Sequence, residues 1–337
     1  MKAVGLFQYL PIEDEKSLQD LEVEMPMATG RDVLVKVKAI SVNPVDSKIR
    51  APKDKVEVQP KILGWDAAGE VAAIGSEVEH FVVGDSVFYA GDVTRPGANC
   101  EYHLVDERIV GKKPDSLSFS EAAALPLTSI TAWESLFDRM GISSQGEDEG
   151  KSVLIIGGAG GVGSIAIQLA ARLAKLNVIA TASRDESRDW CIKFGANQVI
   201  NHANALDDEL KNIGVAEVDY ILCLNNTDAH WQAMVNAIKP QGVICSVVET
   251  VKANLGMLKS KSVTFVWEFM FTRAMYQTPD MIEQQHILNA VSKCVDNGEL
   301  MTTLNHVKQP INAKNLRRVH ADIEQGNVVG KVVLESW

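Results

Sequence analysis

Residues Ser152 to Ala170 read SVLIIGGAGGVGSIAIQLA. The short apolar run Val153–Ile156 meets a cluster of five glycines, and a segment rich in Ala, Ile and Leu follows it. This order predicts a buried strand, a tight turn and the beginning of a helix. The 20 residues from Ser152 to Ala171 carry no charge. A segment of about this length can cross a bilayer. The glycines near the middle argue against a membrane-spanning helix there.

Inside this stretch lies a G-x-G-x-x-G pattern, which predicts a dinucleotide-binding turn. Its members are Gly158, Ala159, Gly160, Gly161, Val162 and Gly163. Gly158 is expected to allow the tight turn, Gly160 to let a pyrophosphate approach the backbone, and Gly163 to let helix and strand pack closely. A helix predicted from Val162 to Ala174 would direct unpaired N–H groups and its dipole at the anion. Gly-rich turns also join strands to helices without binding a nucleotide. The strand before the turn, the helix after it and a second strand predicted at Asn177–Ala182 favour nucleotide binding here.

Composition places the chain among ordinary globular proteins. Its 337 residues are enough for two domains, and 46% of them are apolar. The formal net charge is -11, and no basic run exceeds Arg317-Arg318, so nucleic acid is not expected as a partner. The N-terminal MKAVGLFQYLP is predicted to be a first strand and not a signal segment. Five widely spaced cysteines without a C-x-x-C pair fit a reducing compartment, and we expect a cytoplasmic protein without membrane contact.

The spacing of apolar residues divides the chain into two kinds of structure. The first 125 residues predict a small irregular barrel, with strands at Asp32–Val42, Ala68–Ile74, Ser86–Tyr89 and Tyr102–Val105. Residues Ser120–Met140 are predicted to be helical, with a break at Pro126. From Val153 to Trp267 predicted strands and helices alternate, which is typical of a doubly wound parallel sheet. A helix at Ala313–Gln325 and a strand at Lys331–Leu334 are expected to return to the first domain.

Three further stretches, together with the glycine turn, resemble the medium-chain dehydrogenase/reductase superfamily. They are VKAISVNPVDSKIR (37–50), ILGWDAAGEVAAIGSEVEHFVVGDSVF (62–88) and AAALPLTSITAWESL (122–136). Within it the chain is similar to the zinc-free quinone oxidoreductase branch, in the subgroup often labelled "zinc-binding alcohol dehydrogenase family". The resemblance implies an α/β protein with a GroES-like β-barrel catalytic domain of residues 1–125 and 275–337. It also implies a Rossmann NADP-binding domain of residues 126–274.

The residues depart from the zinc-dependent members at the three catalytic ligands. Those members begin a C-x-x-D stretch where this chain has Asn43, and they have a His where it has Trp65. A third ligand, usually Cys, corresponds most closely to Leu127. Asn, Trp and Leu do not form a Cys/His zinc site. The resemblance therefore implies the fold and the cofactor, and no metal.

Four residues are predicted to contribute to catalysis. The resemblance implies that Asn43 lies beside the nicotinamide and that the Thr131 hydroxyl reaches its ribose or ring; the alternatives are a turn residue and a helix hydroxyl. Asp46 is expected to orient the site, or simply to pair with Lys48 or Arg50. Trp65 is expected to line the substrate pocket, or else to belong to the core. Tyr89 is a weaker candidate for the pocket.

The cofactor is predicted to be NADPH. An NAD site usually ends its second strand with an acidic residue that binds the ribose hydroxyl. Here the strand ends with Ser183 and Arg184, and Arg188 follows one turn later, so guanidinium groups can pair with a 2'-phosphate. Asp185 argues against NADPH, because it could be the acidic residue of an NAD site displaced by two positions. Lys331 corresponds to a family position that can approach the cofactor phosphates, or it is a solvated lysine at a strand edge.

These expectations favour reduction of a quinone or an activated enone by direct hydride transfer from NADPH. The alternatives are a non-catalytic nucleotide-binding protein, such as a redox sensor or a crystallin-like member, and a zinc-type alcohol dehydrogenase. The apolar SVTFVWEF (262–269) is predicted to be the last strand of the sheet. An uncovered edge of this kind invites pairing, so a homodimer is expected.

Overall fold

The computed structural model describes all 337 residues, which form two compact units. The first unit contains residues 1–127 and 271–337, and the second contains residues 128–270. No helix is both long enough and apolar enough to cross a membrane. The predicted α/β class, with a barrel-type domain and a doubly wound parallel sheet, is confirmed.

The first unit is built mainly from strands. They are β1 (Lys2–Tyr9), β2 (Gln19–Glu22), β3 (Asp32–Ser41), β4 (Lys53–Ile62), β5 (Asp66–Ile74), β6 (Ser86–Ala90), β7 (Tyr102–Asp106), β8 (Val110–Lys112), and, beyond the second unit, β15 (Leu304–Lys308) and β16 (Lys331–Glu335). Three form a sheet in the order β2-β1-β4. The others form a seven-stranded sheet in the order β15-β16-β3-β5-β6-β8, with β7 also paired to β3. Most neighbours are antiparallel, so short turns rich in Gly and Pro can connect them.

The second unit contains a six-stranded parallel sheet in the order β11-β10-β9-β12-β13-β14. Its strands are β9 (Ser152–Ile156), β10 (Asn177–Thr181), β11 (Gln198–Ile200), β12 (Val218–Cys223), β13 (Ile238–Ser246) and β14 (Thr264–Trp267). The sequence order outward from β9 in both directions is the doubly wound arrangement, whose ligands bind at the carboxyl ends of the strands. Leu154, Ile221 and Ile244 are fully buried in the core of this sheet.

Ten α-helices accompany the sheets. They are α1 (Pro44–Arg50), α2 (Phe119–Ala123), α3 (Pro126–Trp133), α4 (Gly161–Gln168), α5 (Asp185–Phe194), α6 (Leu206–Asn212), α7 (Thr227–Ala237), α8 (Thr272–Met275), α9 (Glu283–Asp296) and α10 (Ala313–Glu324). The single helix expected from Val162 to Ala174 is α4 followed by π-helical backbone at Leu169–Leu173. A second π-helical turn, Glu134–Arg139, continues α3. The break expected at Pro126 separates α2 from α3.

Candidate active site

A buried polar cluster lies where three strands of the first unit meet. Asn43 follows β3 and caps α1, Asp66 is the first residue of β5, and Lys331 is the first residue of β16. Both β5 and β16 pair with β3: Ser41 is opposite Asp66 on one side and Val333 on the other. This register brings the three side chains together although Lys331 is 288 residues from Asn43 and 265 from Asp66 in sequence. Each is at most 3% exposed.

The side chains of this cluster bind one another. The Lys331 ammonium donates to the Val42 carbonyl at 3.1 Å, to Asp66 Oδ2 at 3.1 Å and to Asn43 Oδ1. The Asn43 amide nitrogen donates to Asp66 Oδ2 at 2.9 Å. The other oxygen, Asp66 Oδ1, accepts the Leu127 backbone N–H at 2.9 Å. The three N–H bonds of the ammonium therefore have three acceptors, and the buried carboxylate has a counter-ion.

Asp46 lies beside this cluster, in the first turn of α1. Its Oδ2 accepts the Asn43 backbone N–H at 2.7 Å, which forms a capping box, while its Oδ1 is buried without a partner. Burial raises the pKa of Asp46 to about 7, against the lowering effects of the Asn43 N–H and of Lys331. Burial also raises the pKa of Asp66, and Lys331 opposes that shift. The alternative expectation that Asp46 pairs with Arg50 is wrong, because Arg50 binds the Leu10 carbonyl and Glu324.

The two aromatic candidates are both fully buried. Trp65 packs edge-on against Phe271 at 6.3 Å between ring centroids, and its indole N–H has no partner. The Tyr89 hydroxyl lies 3.0 Å from Nδ1 of His103, whose Nε2 contacts the Pro96 carbonyl at 2.9 Å. Because a carbonyl oxygen can only accept a hydrogen bond, Nε2 of the neutral ring carries the hydrogen, and the Tyr89 hydroxyl donates to Nδ1. Core packing accounts for these contacts, and a role in a substrate pocket stays a prediction for both residues.

The donor set of the first unit does not fit a catalytic zinc ion. Asn43, Trp65 and Leu127 stand at the positions that the family resemblance assigns to the three ligands, and indole and alkyl side chains are not zinc ligands. The cation beside Asp66 is the Lys331 ammonium. No group of three or more His, Cys, Asp or Glu residues anywhere in the structure is arranged to hold a metal ion.

In the second unit, the glycine turn follows β9 and leads into α4. Gly157 has a left-handed φ of 91°, and its N–H donates to Thr181 Oγ1 at 3.0 Å. The Gly158 N–H donates to the Thr181 carbonyl at 3.1 Å. Gly157 therefore makes the tight turn that was expected of Gly158, and the end of β10 fixes its conformation.

Three glycines of the turn differ in the space around them. A Cβ on Gly163 would lie 2.4 Å from the Gly157 carbonyl oxygen, and one on Gly158 would lie 2.8 Å from the Ala180 Cβ. These two positions require glycine because backbone and sheet pack closely there. A Cβ on Gly160 would meet only the Gly157 oxygen, at 3.6 Å, so this position faces open space. That space and the N-terminus of α4 together fit a phosphate group.

The candidate contacts for a 2'-phosphate lie at the carboxyl end of β10. Ser183, Arg184 and Arg188 are exposed, and the side chains of Ser183 and Arg188 make no hydrogen bond or ion pair within the protein. Asp185 begins α5 and is also exposed. The sequence interpretation missed His202, which follows β11 and whose Nδ1 lies 3.1 Å from Thr181 Oγ1. Its only signal in the sequence was its position two residues after a predicted strand.

The remaining candidates are placed as follows. Thr131 is buried on α3 in the second unit. Lys331 is neither solvated nor at an open strand edge, because its ammonium is buried among Val42, Asn43 and Asp66 in the first unit. The alternative expectation of a solvated lysine is therefore wrong.

The second unit also contains a buried carboxyl pair that was not predicted. Arg139 donates through Nε to Glu268 Oε2 at 2.8 Å and lies 3.5 Å from Glu134 Oε2. Glu134 and Glu268 are both buried, and two carboxylates cannot both stay charged beside one guanidinium at low cost. Burial, and then the charge of Glu134, raise the pKa of Glu268 to about 9. At neutral pH the pair therefore retains a proton.

Comparison with known proteins identifies both parts of the chain. Residues 29–122 match the alcohol dehydrogenase GroES-like domain, which confirms the predicted barrel domain, and residues 194–334 match the zinc-binding dehydrogenase family. A zinc-type alcohol dehydrogenase-like protein of Staphylococcus aureus is 45% identical, over 99% of each chain. A quinone oxidoreductase of Pongo abelii is 31% identical, over 82% of this chain and 83% of its own. A crystal structure from Rhizobium etli, named after zinc-dependent alcohol dehydrogenases, is 48% identical, with a TM-score of 0.96 over 100% of this chain and 98% of its own.

Proposed function

The chain belongs to the medium-chain dehydrogenase/reductase superfamily of oxidoreductases, whose members bind NAD(P), and from that premise we propose that it is a cytoplasmic, zinc-free NADPH:quinone or enone reductase. The observation that carries the proposal is the cluster of Asn43, Asp66 and Lys331. It includes Asn43, which by the family resemblance stands at one of the zinc-ligand positions, and it contains an ammonium group, an amide and a carboxylate. The donor proposed to act there in place of a Lewis acid is therefore the second amide N–H of Asn43, because the N–H bonds of Lys331 have acceptors within the cluster.

This donor set restricts the substrates that can be reduced. When bound, NADPH supplies a hydride from C4 of its nicotinamide. A simple ketone would develop a localised oxyanion, which needs strong stabilisation. A quinone or an enone accepts the hydride and spreads the arriving charge over a conjugated enolate or phenolate, so a modest hydrogen bond from Asn43 suffices. Water supplies the proton, and the alkene or quinone leaves as the saturated carbonyl or hydroquinone.

The other residues of the proposed site orient the reactants. Thr131 is proposed to contact the nicotinamide ribose or ring, Asp46 to hold the backbone of Asn43, and Trp65 to shape the substrate pocket. In the second unit, the turn from Gly158 to Gly163 would hold the pyrophosphate. Ser183, Arg184 and Arg188 would bind the 2'-phosphate, with His202 beside them. Since Ser183 and Arg188 lack partners within the protein, a phosphate would satisfy them at little cost.

The test is an assay with three acceptor classes. NADPH or NADH oxidation is followed with 9,10-phenanthrenequinone and with a small enone, and NADP+ reduction is followed with a primary alcohol. We expect turnover of the quinone or the enone, a higher kcat/KM with NADPH than with NADH, and little alcohol oxidation. Robust alcohol oxidation without quinone or enone reduction would refute the proposal. The absence of all turnover despite nucleotide binding would favour a sensor or crystallin-like protein.

The names of the Staphylococcus aureus and Rhizobium etli proteins favour a second candidate, a zinc-type alcohol dehydrogenase. Elemental analysis separates the two candidates. We expect chelator-treated protein to keep its reductase activity with less than stoichiometric zinc. Stoichiometric zinc whose removal abolishes turnover, and whose return restores it, would establish the second candidate.

A further inference from the structure

The orientation of the Asn43 side chain depends on two groups of opposite character. The oxygen and nitrogen ends of an asparagine amide have nearly the same size, so packing alone does not select between the two orientations. An ammonium can only donate hydrogen bonds, and a carboxylate can only accept them. Lys331 lies at the Oδ1 end of the amide and Asp66 lies 2.9 Å from Nδ2. Only one of the two orientations satisfies both neighbours.

We propose that Lys331 is a positioning residue that acts through Asn43: with Asp66, it locks the amide so that one N–H of Nδ2 binds Asp66 and the second N–H is available as a donor. The inference rests on the proposed function, in which Asn43 donates to the developing oxyanion. A rotated amide would present its oxygen to that oxyanion and repel it. The ammonium also withdraws electron density from Oδ1, which makes the amide N–H a stronger donor.

The geometry distinguishes this role from the one that the sequence suggested for Lys331. Its three N–H bonds are taken by Val42, Asn43 and Asp66, and its side chain is 4% exposed. A lysine that binds cofactor phosphates needs at least one N–H free for them. The ammonium of Lys331 has none unless the cluster opens.

The kinetic test compares one paired substitution in two backgrounds. Lys331→Met/Asp66→Asn removes both charges at nearly constant volume, and leaves Asn43 beside an amide that can either donate or accept. We expect kcat with phenanthrenequinone to fall roughly 10-fold, since one such contact contributes about that factor, while the Kd of NADPH stays unchanged. In an Asn43→Ala background the same paired substitution should change kcat less than about twofold, because the group it positions is absent.

Arg31→Met/Glu107→Gln is the matched control. It also removes a cation and a buried carboxylate from the first unit, where Arg31 contacts Glu107 at 2.8 Å, and it touches neither Asn43 nor Lys331. Any change that it causes in kcat should be the same in both backgrounds. An equal loss for the Lys331 pair in both backgrounds would overturn the positioning role. A large rise in the Kd of NADPH with unchanged kcat would assign Lys331 to the cofactor phosphates instead.

A second measurement does not need activity, and it separates a failure of this inference from a failure of the proposed function. The side-chain amide signals of Asn43 are identified in an NMR spectrum by their loss in Asn43→Ala. We expect them to be dispersed and slow to exchange with water in the wild type, to move and exchange faster in Lys331→Met/Asp66→Asn, and to stay in place in the control. If the wild type reduces no quinone or enone, the proposed function fails, but these signals still decide the positioning. Signals that are unchanged in the Lys331 pair would refute it.

Discussion

Asn43 is the residue on which the proposed hydride transfer depends most directly. Asn43→Ala removes one hydrogen-bond donor from the buried cluster, and we expect kcat/KM for the quinone to fall roughly 10- to 100-fold, or about 1.4–2.7 kcal/mol. NADPH affinity should change little, because the amide is proposed to act on the acceptor. Ser47→Ala is a suitable control, since it deletes a buried hydroxyl from the same helix, 3.3 Å from His320. An equal loss in both variants would indicate damage to α1 and not to catalysis.

Arg188 tests the choice between the two nucleotides. Its guanidinium is exposed without a protein partner on the first turns of α5, so Arg188→Ala should raise the Kd of NADPH about tenfold, the effect of roughly 1.4 kcal/mol for one charge-assisted hydrogen bond. The Kd of NADH should stay the same, because NADH lacks the 2'-phosphate. Lys193→Ala, near the other end of the same helix, should leave both constants unchanged. A parallel loss of both nucleotides in Arg188→Ala would contradict a 2'-phosphate contact.

The proton held by Glu268 makes stability depend on pH. Its folded-state pKa of about 9 lies above the ordinary value of 4.5. Between these two values the folded protein binds more protons than the unfolded chain. The free energy of unfolding therefore falls as pH rises from about 4.5, and the loss is complete above about 9. Gln is a neutral mimic of the protonated acid. Glu268→Gln should therefore match the wild type in Tm near pH 4.5 and become increasingly more stable than it toward pH 9, by at most about 1.4 kcal/mol per pH unit.

The measurement for Glu268 is thermal unfolding between pH 5 and 10. Glu283→Gln, a partly exposed carboxyl on α9, is the control and should follow the wild type throughout. A Glu268→Gln variant whose Tm difference from the wild type is constant over this range would show that the pair does not hold an extra proton.

At the scale of elements, two glycines of the turn between β9 and α4 are expected to affect different properties: Gly163 the stability of the fold, and Gly160 the binding of the nucleotide. Gly163→Ala places a methyl 2.4 Å from a backbone oxygen, so we expect it to lower stability by about 1–3 kcal/mol, as overpacking usually does. Gly160→Ala meets its nearest atom at 3.6 Å, so Tm should be unchanged. The methyl would occupy the proposed pyrophosphate space, however, and the Kd of NADPH should rise at least about tenfold. Thermal unfolding and nucleotide titration of both variants check this, and normal NADPH binding by Gly160→Ala would contradict the assignment.

The elements of the parallel sheet were predictable because buried strands read as short apolar runs bounded by turn residues. The strand β4 was not predicted, since its Lys, Asp, Glu and Gln residues are largely exposed and its backbone pairing with β1 leaves no hydrophobic pattern. Its two central valines, Val56 and Val58, are exposed as well. The π-helical turns after α3 and α4 likewise have no marker in the sequence.

The site was only partly predictable for a related reason. Asn43 and the glycine turn stand in recognisable local motifs, whereas the contact between Asp66 and Lys331 depends on two strands that both pair with β3. Local periodicity does not encode such pairing across 265 residues. The proton shared by Glu134 and Glu268 could not be predicted from the sequence for the same reason, because only tertiary packing makes the two acids neighbours.

At the scale of the whole molecule, β14 is one of the two edge strands of the parallel sheet, and β11 is the other. Trp267 at its end and the nearby Phe269 are 47% and 49% exposed. We predict that two copies pair through this edge to form a homodimer. Trp267→Lys should then yield monomers in light scattering at micromolar concentration, whereas Tyr276→Lys, an equally drastic change at a residue 70% exposed outside the strand, should not. A monomeric wild type at that concentration would contradict the prediction.

The division of the first unit into two chain segments has a consequence for how the protein is made. A ribosome completes residues 128–270 as one continuous block, so every strand of the parallel sheet is available once this block has emerged. The seven-stranded sheet must wait, because β16 fits between β3 and β15 and is translated only after the whole of the second unit. Until then Asp66 has no counter-ion, since Lys331 follows it by 265 positions. A nascent chain released before Lys331 would lack β16 and the ammonium that neutralises the buried Asp66 carboxylate. Its first unit would stay incompletely folded, and chaperones and proteases could bind it.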